Sequence, residues 1–408
     1  MPRLIFVNRF FHPDHSATSQ ILGDLAFHLA EAGFDVRVLT SQQIYDDPAR
    51  VLPARESVRG VQVHRVWATH FGRGRLVPRA VDYLTFYLSA TAKLATQADR
   101  DAVIIAETDP PLLSVPCALV ARLKRSVLVN WTQDLFPEIA EGLHVPGIAL
   151  AAPALRWLRN LSLKRARTNV VLGEGMAARL RDEGVPPDKI EVIHNWSPVE
   201  MAPPSAPPTA NPLRAEWNLS HKFVIGYSGN FGRAHDFVTI LEAAALLRHL
   251  PDVHFLFVGA GAQRAWVETR VADLGLTNVS FQPYQPLDRL ALSLSVPDVH
   301  LVSLKPELEG LLVPSKFYSA LAAGRPVLFV GDPKSEIARR IDEADCGRAF
   351  APGAHADLAA TIRQLARHPT QSVKMGERAR DLWAARFQRS QALEAWRAVM
   401  MNLSAIRN

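Results

Sequence analysis

The sequence predicts an α/β protein made of two similar domains, each with a mostly parallel sheet covered by helices. Short apolar runs alternate with amphipathic helical segments along most of the 408 residues, a proline-rich stretch interrupts this alternation, and the alternation then begins again. A chain of this length can bury two hydrophobic cores. In such sheets ligands bind beyond the carboxyl ends of the strands, so the loops that follow strands are the first candidate sites.

The first half opens with a strand, an amphipathic helix over residues 19–32 that Gly33 ends, and a second strand. This βαβ opening predicts parallel pairing. The strands predicted in this half are 4–7, 36–40, 61–66, 102–106, 127–131 and 168–171.

Residues 201–219 are rich in proline and lack apolar periodicity, which indicates an interdomain linker. We therefore predict an N-terminal domain over 1–200, a C-terminal domain over 220–385, and a final helix, 386–408, that packs back on the first domain. The cleft between the domains is the expected ligand site. The second half is predicted to contain strands 223–227, 254–258, 279–281, 299–304 and 327–330 and helices 237–249, 262–274 and 314–323.

The composition, 48% hydrophobic with a formal net charge of +6, describes a globular protein with an anionic partner. A nucleotide, a nucleic acid and an acidic membrane surface all satisfy that charge. Cys117 and Cys346 lie far apart without metal-type spacing, so we expect a reducing compartment. Neither a signal peptide nor a membrane-spanning apolar run is recognisable, which favours a cytoplasmic location.

Residues 307–329 form the most informative segment. Pro314 suits the first position of a helix, which places Ser315 and Lys316 near its amino end. Unpaired backbone N–H groups and a lysine charge at that point favour an anion. Gly324 ends the helix before a buried strand. The alternative is an ordinary capped helix with a solvated lysine.

Two glycine-containing loops follow strands in the second half. Gly229 and Gly232 would let the backbone approach a phosphate, and Arg233 would add charge, although an ordinary turn is the alternative. Gly259 and Gly261 resemble the start of a dinucleotide fingerprint whose third glycine is missing. We interpret this second loop as a strand-end loop rather than a nicotinamide site.

The loop between the first strand and the first helix carries His12, Asp14, His15 and Ser16. These side chains could bind hydroxyl groups or handle a proton, and the alternative for Asp14 and Ser16 is helix capping. The cluster lacks the distant partners of a metal site.

Asp134 and Glu138 follow another strand and could line the cleft, as could Glu107 and Asp109. Residues 145–167 and 73–87 combine basic with aromatic or apolar residues, which fits an anionic bilayer surface or, alternatively, helices packed in the core.

Together these motifs resemble the glycosyltransferase family 4 group of GT-B enzymes, in particular the retaining bacterial enzymes of exopolysaccharide and O-antigen assembly. The matching segments are the opening loop with residues 25–40, the stretches 131–138 and 176–195, and the second-half landmarks 229–233, 258–261 and 314–326. These segments occur in the family's order, and the resemblance covers nearly the whole chain.

The resemblance implies two Rossmann-like domains, a nucleotide-sugar co-substrate, a saccharide acceptor linked to polyprenyl diphosphate, and work at the inner face of the cytoplasmic membrane. It implies no cofactor, no metal and no nucleic acid partner. Lys316, Arg233 and Glu309 would be catalytic. The donor would contact Gly229, Asn230, Gly232, Gly259, Gly261, Pro314, Ser315 and Ser319. The acceptor would contact His12, Asp14, His15, Ser16, Asp134 and Glu138.

The chain departs from the family pattern at several positions. Ser319 stands where many members have a second glutamate, and Glu309 lies two residues upstream of the usual first acid. Asn230 and His235 stand where an arginine and a lysine are common. Three alternatives therefore remain, namely a sugar-nucleotide epimerase, a nicotinamide-dependent oxidoreductase that uses residues 258–261, and a non-enzymatic nucleotide-sugar-binding protein.

Overall fold

The computed structural model describes residues 2–14, 16–44, 47, 50–71, 76–197, 201 and 208–405. The chain divides into two compact units, each with its own sheet. The first unit comprises Met1–His194, Gly310–Val313 and Ser390–Asn408, and the second comprises Asn195–Glu309 and Pro314–Arg389. The predicted fold class, two α/β domains with parallel sheets, is confirmed.

The first sheet contains β1 (Arg3–Val7), β2 (Asp35–Ser41), β3 (Arg55–Val58), β4 (Val61–Val66), β5 (Ala102–Ala106), β6 (Val127–Thr132), β7 (Thr168–Val171) and β8 (Ile190–Val192). Their order is β3-β4-β2-β1-β5-β6-β7-β8, and all neighbours are parallel except β3 and β4. The central strands are buried on both faces, which is why they read as uninterrupted apolar runs.

Helices cover both faces of this sheet: α1 (Ala17–Glu31), α2 (Leu76–Gln97), α3 (Ser114–Lys124), α4 (Glu138–Gly142), α5 (Ile148–Arg165) and α6 (Glu174–Asp182). α3 packs against both α2 and α5. A core of small and apolar residues from α2, α3, β1 and β5 lies beneath them.

The second sheet contains β9 (Phe223–Ser228), β10 (Val253–Val258), β11 (Val279–Gln282), β12 (Val299–Ser303), β13 (Val327–Val330) and β14 (Gly347–Phe350). Its order is β11-β10-β9-β12-β13-β14, and every pairing is parallel. The order reverses direction between β9 and β12, the topological switch point where ligands of open α/β sheets bind.

The helices of the second unit are α7 (Pro212–Glu216), α8 (Val238–Leu247), α9 (Arg264–Asp273), α10 (Leu287–Leu294), α11 (Lys316–Ala322), α12 (Glu336–Glu343), α13 (His355–Arg367) and α14 (Pro369–Arg386). Within the predicted linker, residues 202–207 lie outside the described residues. Leu213 and Leu219 nevertheless pack in a core cluster with β9 and β10, so this part of the proline-rich stretch belongs to the second unit.

The final helix, α15 (Arg389–Ala405), belongs almost entirely to the first unit. Its Trp396 is fully buried, and the Trp396 ring centre lies 4.7 Å from that of Trp131 on β6. Large aromatic side chains dominate packing energy, so this pair anchors the C-terminal helix.

Candidate functional site

Lys316 lies at the start of α11, and its amine reaches the loop that follows β9. The Lys316 Nζ atom is 3.0 Å from His235 Nε2 and 5.0 Å from the centre of the Tyr227 ring. The lysine stem lies against Gly229, where an added Cβ would stand 3.0 Å from Lys316 Cε. The fold therefore brings the glycine loop and the lysine to one place at the carboxyl end of the sheet.

His235 holds the lysine amine through its own buried hydrogen bond. The His235 Nδ1 atom lies 2.6 Å from the Ser303 carbonyl oxygen at the end of β12. A carbonyl oxygen only accepts, so Nδ1 carries the proton and Nε2 is left to accept from Lys316. Burial and the neighbouring lysine lower the pKa of His235 to about 3, which keeps the ring neutral.

The Lys316 amine loses its proton more readily than the amine of an ordinary lysine. Part of the side chain remains accessible to solvent, but protein atoms surround the amine, and this desolvation lowers the pKa of Lys316 to about 7. An anion bound beside the amine would favour its charged form and raise that pKa. The geometry suits a site that takes up a proton together with an anionic ligand.

The two glycine loops pack directly against each other. A Cβ at Gly259 would collide with the carbonyl oxygen of Gly229, and one at Gly261 would collide with the side chain of Asn230. The amide of Phe231 also donates to the carbonyl of Ala260 over 2.8 Å. Gly259 and Gly261 thus let their own loop pack closely against the Gly229 loop. In this way they support the site indirectly.

Arg233 and Asn230 are exposed at the tip of the first glycine loop. Arg233 makes no hydrogen bond or ion pair with any other part of the chain that the structure describes. The carbonyl of Gly232 accepts from the Gln263 side chain over 2.6 Å, which ties the loop to the start of α9. Because the loop backbone is held in place and the Arg233 guanidinium has no partner among the described residues, this loop can bind an anion.

The segment before α11 differs in detail from the prediction. The helix begins at Lys316 and has seven residues, so Pro314 precedes the cap instead of opening the helix. Ser315 takes the cap position, and its side chain makes no cap hydrogen bond. Ser319, one turn later on the same helix, is half-buried.

Glu309 lies at the amino end of α12. Its Oε1 atom accepts from the backbone N–H of Glu336 over 3.0 Å. Burial, opposed in part by this hydrogen bond, raises the pKa of Glu309. The carboxylate therefore has a capping role that the sequence did not predict.

In the first unit, the loop after β1 is held both by contacts within the loop and by neighbouring segments, for example through the hydrogen bond from Arg65 to the His12 carbonyl. Asp14 is buried, and its carboxylate accepts from the backbone N–H of Ser16 over 2.8 Å, which forms a local turn just before α1, whereas Ser16 takes the cap position without a side-chain cap hydrogen bond. His12 is exposed and packs edge-on against Phe27. His15 lies outside the described residues.

Asp134 and Glu138 follow β6 but have different surroundings. Asp134 is open to solvent at one side yet deeply surrounded by protein, and desolvation together with nearby Asp109 raises the pKa of Asp134 to about 6. Glu138 accepts from Arg159 over 2.7 Å and from Arg156 over 2.7 Å. These arginines overcome the effect of burial and hold the pKa of Glu138 below its usual value, so Glu138 ties α4 to α5.

The two basic segments are partly buried. Phe86 belongs to the core and the side chain of Arg159 is buried, which at these two positions favours the alternative of helices packed in the core. Arg73 and Arg75 lie outside the described residues.

None of the described helices is long and apolar enough to cross a membrane. Among the described residues no three His, Cys, Asp or Glu side chains are grouped to hold a metal ion.

The sequence did not identify His235 and Ser303 as parts of this site. The available signal was that His235 stands where the resemblance given above implies a lysine.

Comparison with known families assigns both halves of the chain. Residues 17–196 match the family described as "Glycosyl transferase 4-like domain", and residues 211–382 match the family described as "Glycosyl transferases group 1". Neither match favours the epimerase or the oxidoreductase alternative.

Similar proteins span most of the chain. WbjE of Pseudomonas aeruginosa, named as a glycosyltransferase, is 29% identical over 300 residues, which are 72% of this chain and 73% of that protein. WcaI of Escherichia coli (strain K12), named as a colanic acid biosynthesis glycosyl transferase, is 26% identical over 389 residues, 91% and 94% of the two chains.

Among solved structures, Anabaena Alr3699/HepE in complex with UDP-glucose superposes with a TM-score of 0.72 at 16% identity, covering 98% of this chain and 100% of that one. This likeness shows that the fold is GT-B. The two domain matches and this fold lead to one assignment: the chain belongs to the GT-B glycosyltransferases that join a glycosyl transferase 4-like domain to a glycosyl transferases group 1 domain.

Proposed function

We propose that the protein transfers a sugar, with retention of anomeric configuration, from a nucleotide-sugar donor to a saccharide acceptor linked to polyprenyl diphosphate. The reaction would serve bacterial cell-surface polysaccharide assembly at the inner face of the cytoplasmic membrane. The proposal of a nucleotide-sugar donor rests on the contact of Lys316 with the loop that contains Gly229. The naming of WcaI for colanic acid biosynthesis and the UDP-glucose complex of HepE support the process and the donor class.

The proposed chemistry is charge neutralisation at the leaving group. The bond between the anomeric carbon and the diphosphate breaks, its electron pair goes to the diphosphate, and the acceptor hydroxyl oxygen forms the new bond. Because retention places attack on the face from which the diphosphate departs, the departing phosphate oxygen is the nearest base for the hydroxyl proton. Lys316 and Arg233 would stabilise the developing charge, an effect that often supplies the largest catalytic term.

The remaining residues would hold the substrates. In the second unit, Asn230, Ser315 and Ser319 would contact the donor, and Glu309 would combine its capping of α12 with a hydrogen bond to a sugar hydroxyl. In the first unit, His12 and Asp134 would bind the acceptor. No cofactor or metal is part of this proposal.

Binding of a nucleotide-sugar panel tests the proposal. Calorimetry with UDP-, GDP- and TDP-sugars should show one class bound selectively by the wild-type protein. Lys316→Met should weaken that binding or slow transfer by about 10²-fold, the size expected for loss of one charge-stabilising group. Lys334→Met, at an exposed lysine of the same unit, is the matched control and should behave like the wild type.

Two results would contradict the proposal. One is that no nucleotide sugar binds. The other is that the Lys316 and Lys334 variants behave alike. Incubation with donor alone distinguishes an epimerase, which would convert the donor sugar without any acceptor.

A further inference from the structure

The outer side of α2 presents an apolar stripe to solvent. Four large apolar side chains on this side are exposed: Val77, Val81, Leu84 and Leu88. They are three or four residues apart, so they lie on one face of the helix. None of them belongs to the core that α2 helps to form. The stripe therefore does not serve the packing of the first unit.

Two exposed aromatic side chains stand beside this stripe. The Ser89 hydroxyl of α2 donates to the carbonyl of Trp67 over 2.6 Å, and the backbone N–H of Phe71 donates to Asp82 over 2.9 Å. These hydrogen bonds hold the segment that follows β4 along α2. The Trp67 side chain nevertheless stays 62% exposed and that of Phe71 66% exposed. The fold thus fixes this segment without burying its aromatic rings.

The apolar surface continues onto α3 and α5. The connections that contain α2, α3 and α5 step in one direction through the sheet, from β4 through β5 and β6 to β7, so right-handed crossovers place the three helices on the same side of it. α3 packs against both neighbours. Leu119 and Leu123 are exposed on α3, and Leu150 and Trp157 are exposed on α5. We call the outer side of these helices, together with residues 67–71, the three-helix face.

The three-helix face is basic as well as apolar. Its helices carry the exposed side chains of Arg79, Arg122, Lys124 and Lys164. Within the ranges of α2, α3 and α5 the one acidic residue is Asp82, which is buried. Exposed Trp, Phe and Leu side chains combined with Lys and Arg are typical of surfaces that rest on anionic bilayers.

We propose that the three-helix face is the surface by which the protein rests on a membrane that contains anionic lipids. The inference rests on the proposed function and deepens it, because that function places the reaction at a membrane without assigning a surface. The apolar side chains enter the boundary between headgroups and acyl chains, and the basic side chains meet the lipid phosphates. Trp67 and Trp157 suit this boundary because an indole ring is apolar but carries one N–H donor.

A bilayer fits this face better than a second copy of the chain does. In a symmetric dimer the same patch of both copies is buried, so a basic surface would meet a basic surface. Like charges brought together in this way oppose association. An anionic lipid surface supplies the opposite charge over the whole face.

Co-sedimentation of the full chain with vesicles tests the inference. Vesicles of phosphatidylcholine alone are compared with vesicles of equal parts phosphatidylcholine and phosphatidylglycerol, which is anionic. Leu84→Gln removes an exposed apolar side chain without adding charge, and Leu287→Gln is the matched control at a similarly exposed leucine of α10. Arg122→Glu reverses a charge on the face, and Arg367→Glu is the matched control at an exposed arginine of α13.

The wild type should bind the anionic vesicles at least about tenfold more tightly than the neutral ones, and salt should weaken this binding. Arg122→Glu should weaken binding by at least about fivefold, the attraction expected for one basic residue near an anionic surface. Leu84→Gln should weaken it by about tenfold, because one leucine no longer enters the apolar boundary. Both control variants should bind like the wild type.

The inference is overturned if the anionic vesicles bind no protein, or if Leu84→Gln or Arg122→Glu binds as tightly as its control. It is also overturned if the wild type is a dimer that Leu84→Gln dissociates, since a second copy would then cover the face. Sedimentation equilibrium measures that state.

Nucleotide-sugar binding is measured on the same preparations. Normal donor binding without vesicle binding ends this inference and leaves the proposed sugar transfer standing. Absence of donor binding in the wild type ends the proposed function, whatever the vesicles show.

Discussion

Affinity for the nucleotide sugar is expected to fall as the pH rises above about 7, because the Lys316 amine must be charged when the diphosphate binds. In the free protein the pKa of this amine is about 7. A bound diphosphate raises it, so binding takes up a proton over the interval between the two pKa values. Each pH unit in that interval costs up to about tenfold in affinity, or about 1.4 kcal/mol. From pH 6 to pH 9 the loss should approach about 100-fold.

The assay is calorimetric titration with the nucleotide sugar at pH 6, 7, 8 and 9, in buffers of different ionisation enthalpy so that proton uptake is counted. The nucleotide sugar is preferred to a free nucleoside diphosphate, whose terminal phosphate titrates near pH 6. Lys316→Met should bind more weakly with little pH dependence, and Lys334→Met should retain the wild-type slope. A flat wild-type profile, or an equal slope in Lys316→Met, would refute the reasoning.

Further predictions concern single residues of both units. His235→Ala should weaken donor binding by about tenfold, as expected for one hydrogen bond to a charged group, and should move the pH midpoint above 7 because water replaces the ring. Gly259→Ala should destabilise the second unit by about 1–3 kcal/mol through overpacking, whereas Gly353→Ala, with φ +85° and open space, should cost about 1 kcal/mol; equal thermal shifts would argue against the close approach. Trp396→Ala should cost about 3–5 kcal/mol in denaturant unfolding without changing donor affinity. Without ligand, the lowered pKa of Lys316 means that the folded state binds fewer protons than the unfolded state between pH 7 and 10.5. The free energy of unfolding should therefore rise with pH across that window and be lost again as the pH falls towards 7. Lys316→Met should lack this trend.

The central strands of both sheets were predictable because burial on both faces leaves an uninterrupted apolar run. Ala102–Ala106 and Val327–Val330 were predicted with their observed bounds. Three strands were not predicted, namely β3, β8 and β14. All three lie at sheet edges, where one side of the strand has no partner and polar residues such as Arg348 are tolerated, so the apolar signal is lost.

The sequence by itself determined the two-domain α/β class and the segments that carry the glycine loop and Lys316, because strand periodicity, glycine and proline act over a few neighbouring residues. Only the tertiary structure decided what these side chains meet. His235 and Lys316 are 81 residues apart, and their hydrogen bond exists only because β9 and β12 lie side by side and α11 follows close by. The same holds for Glu138, whose carboxylate accepts from two arginines of the next helix, α5. A sequence names the groups that could do chemistry, and packing decides which of them remain available.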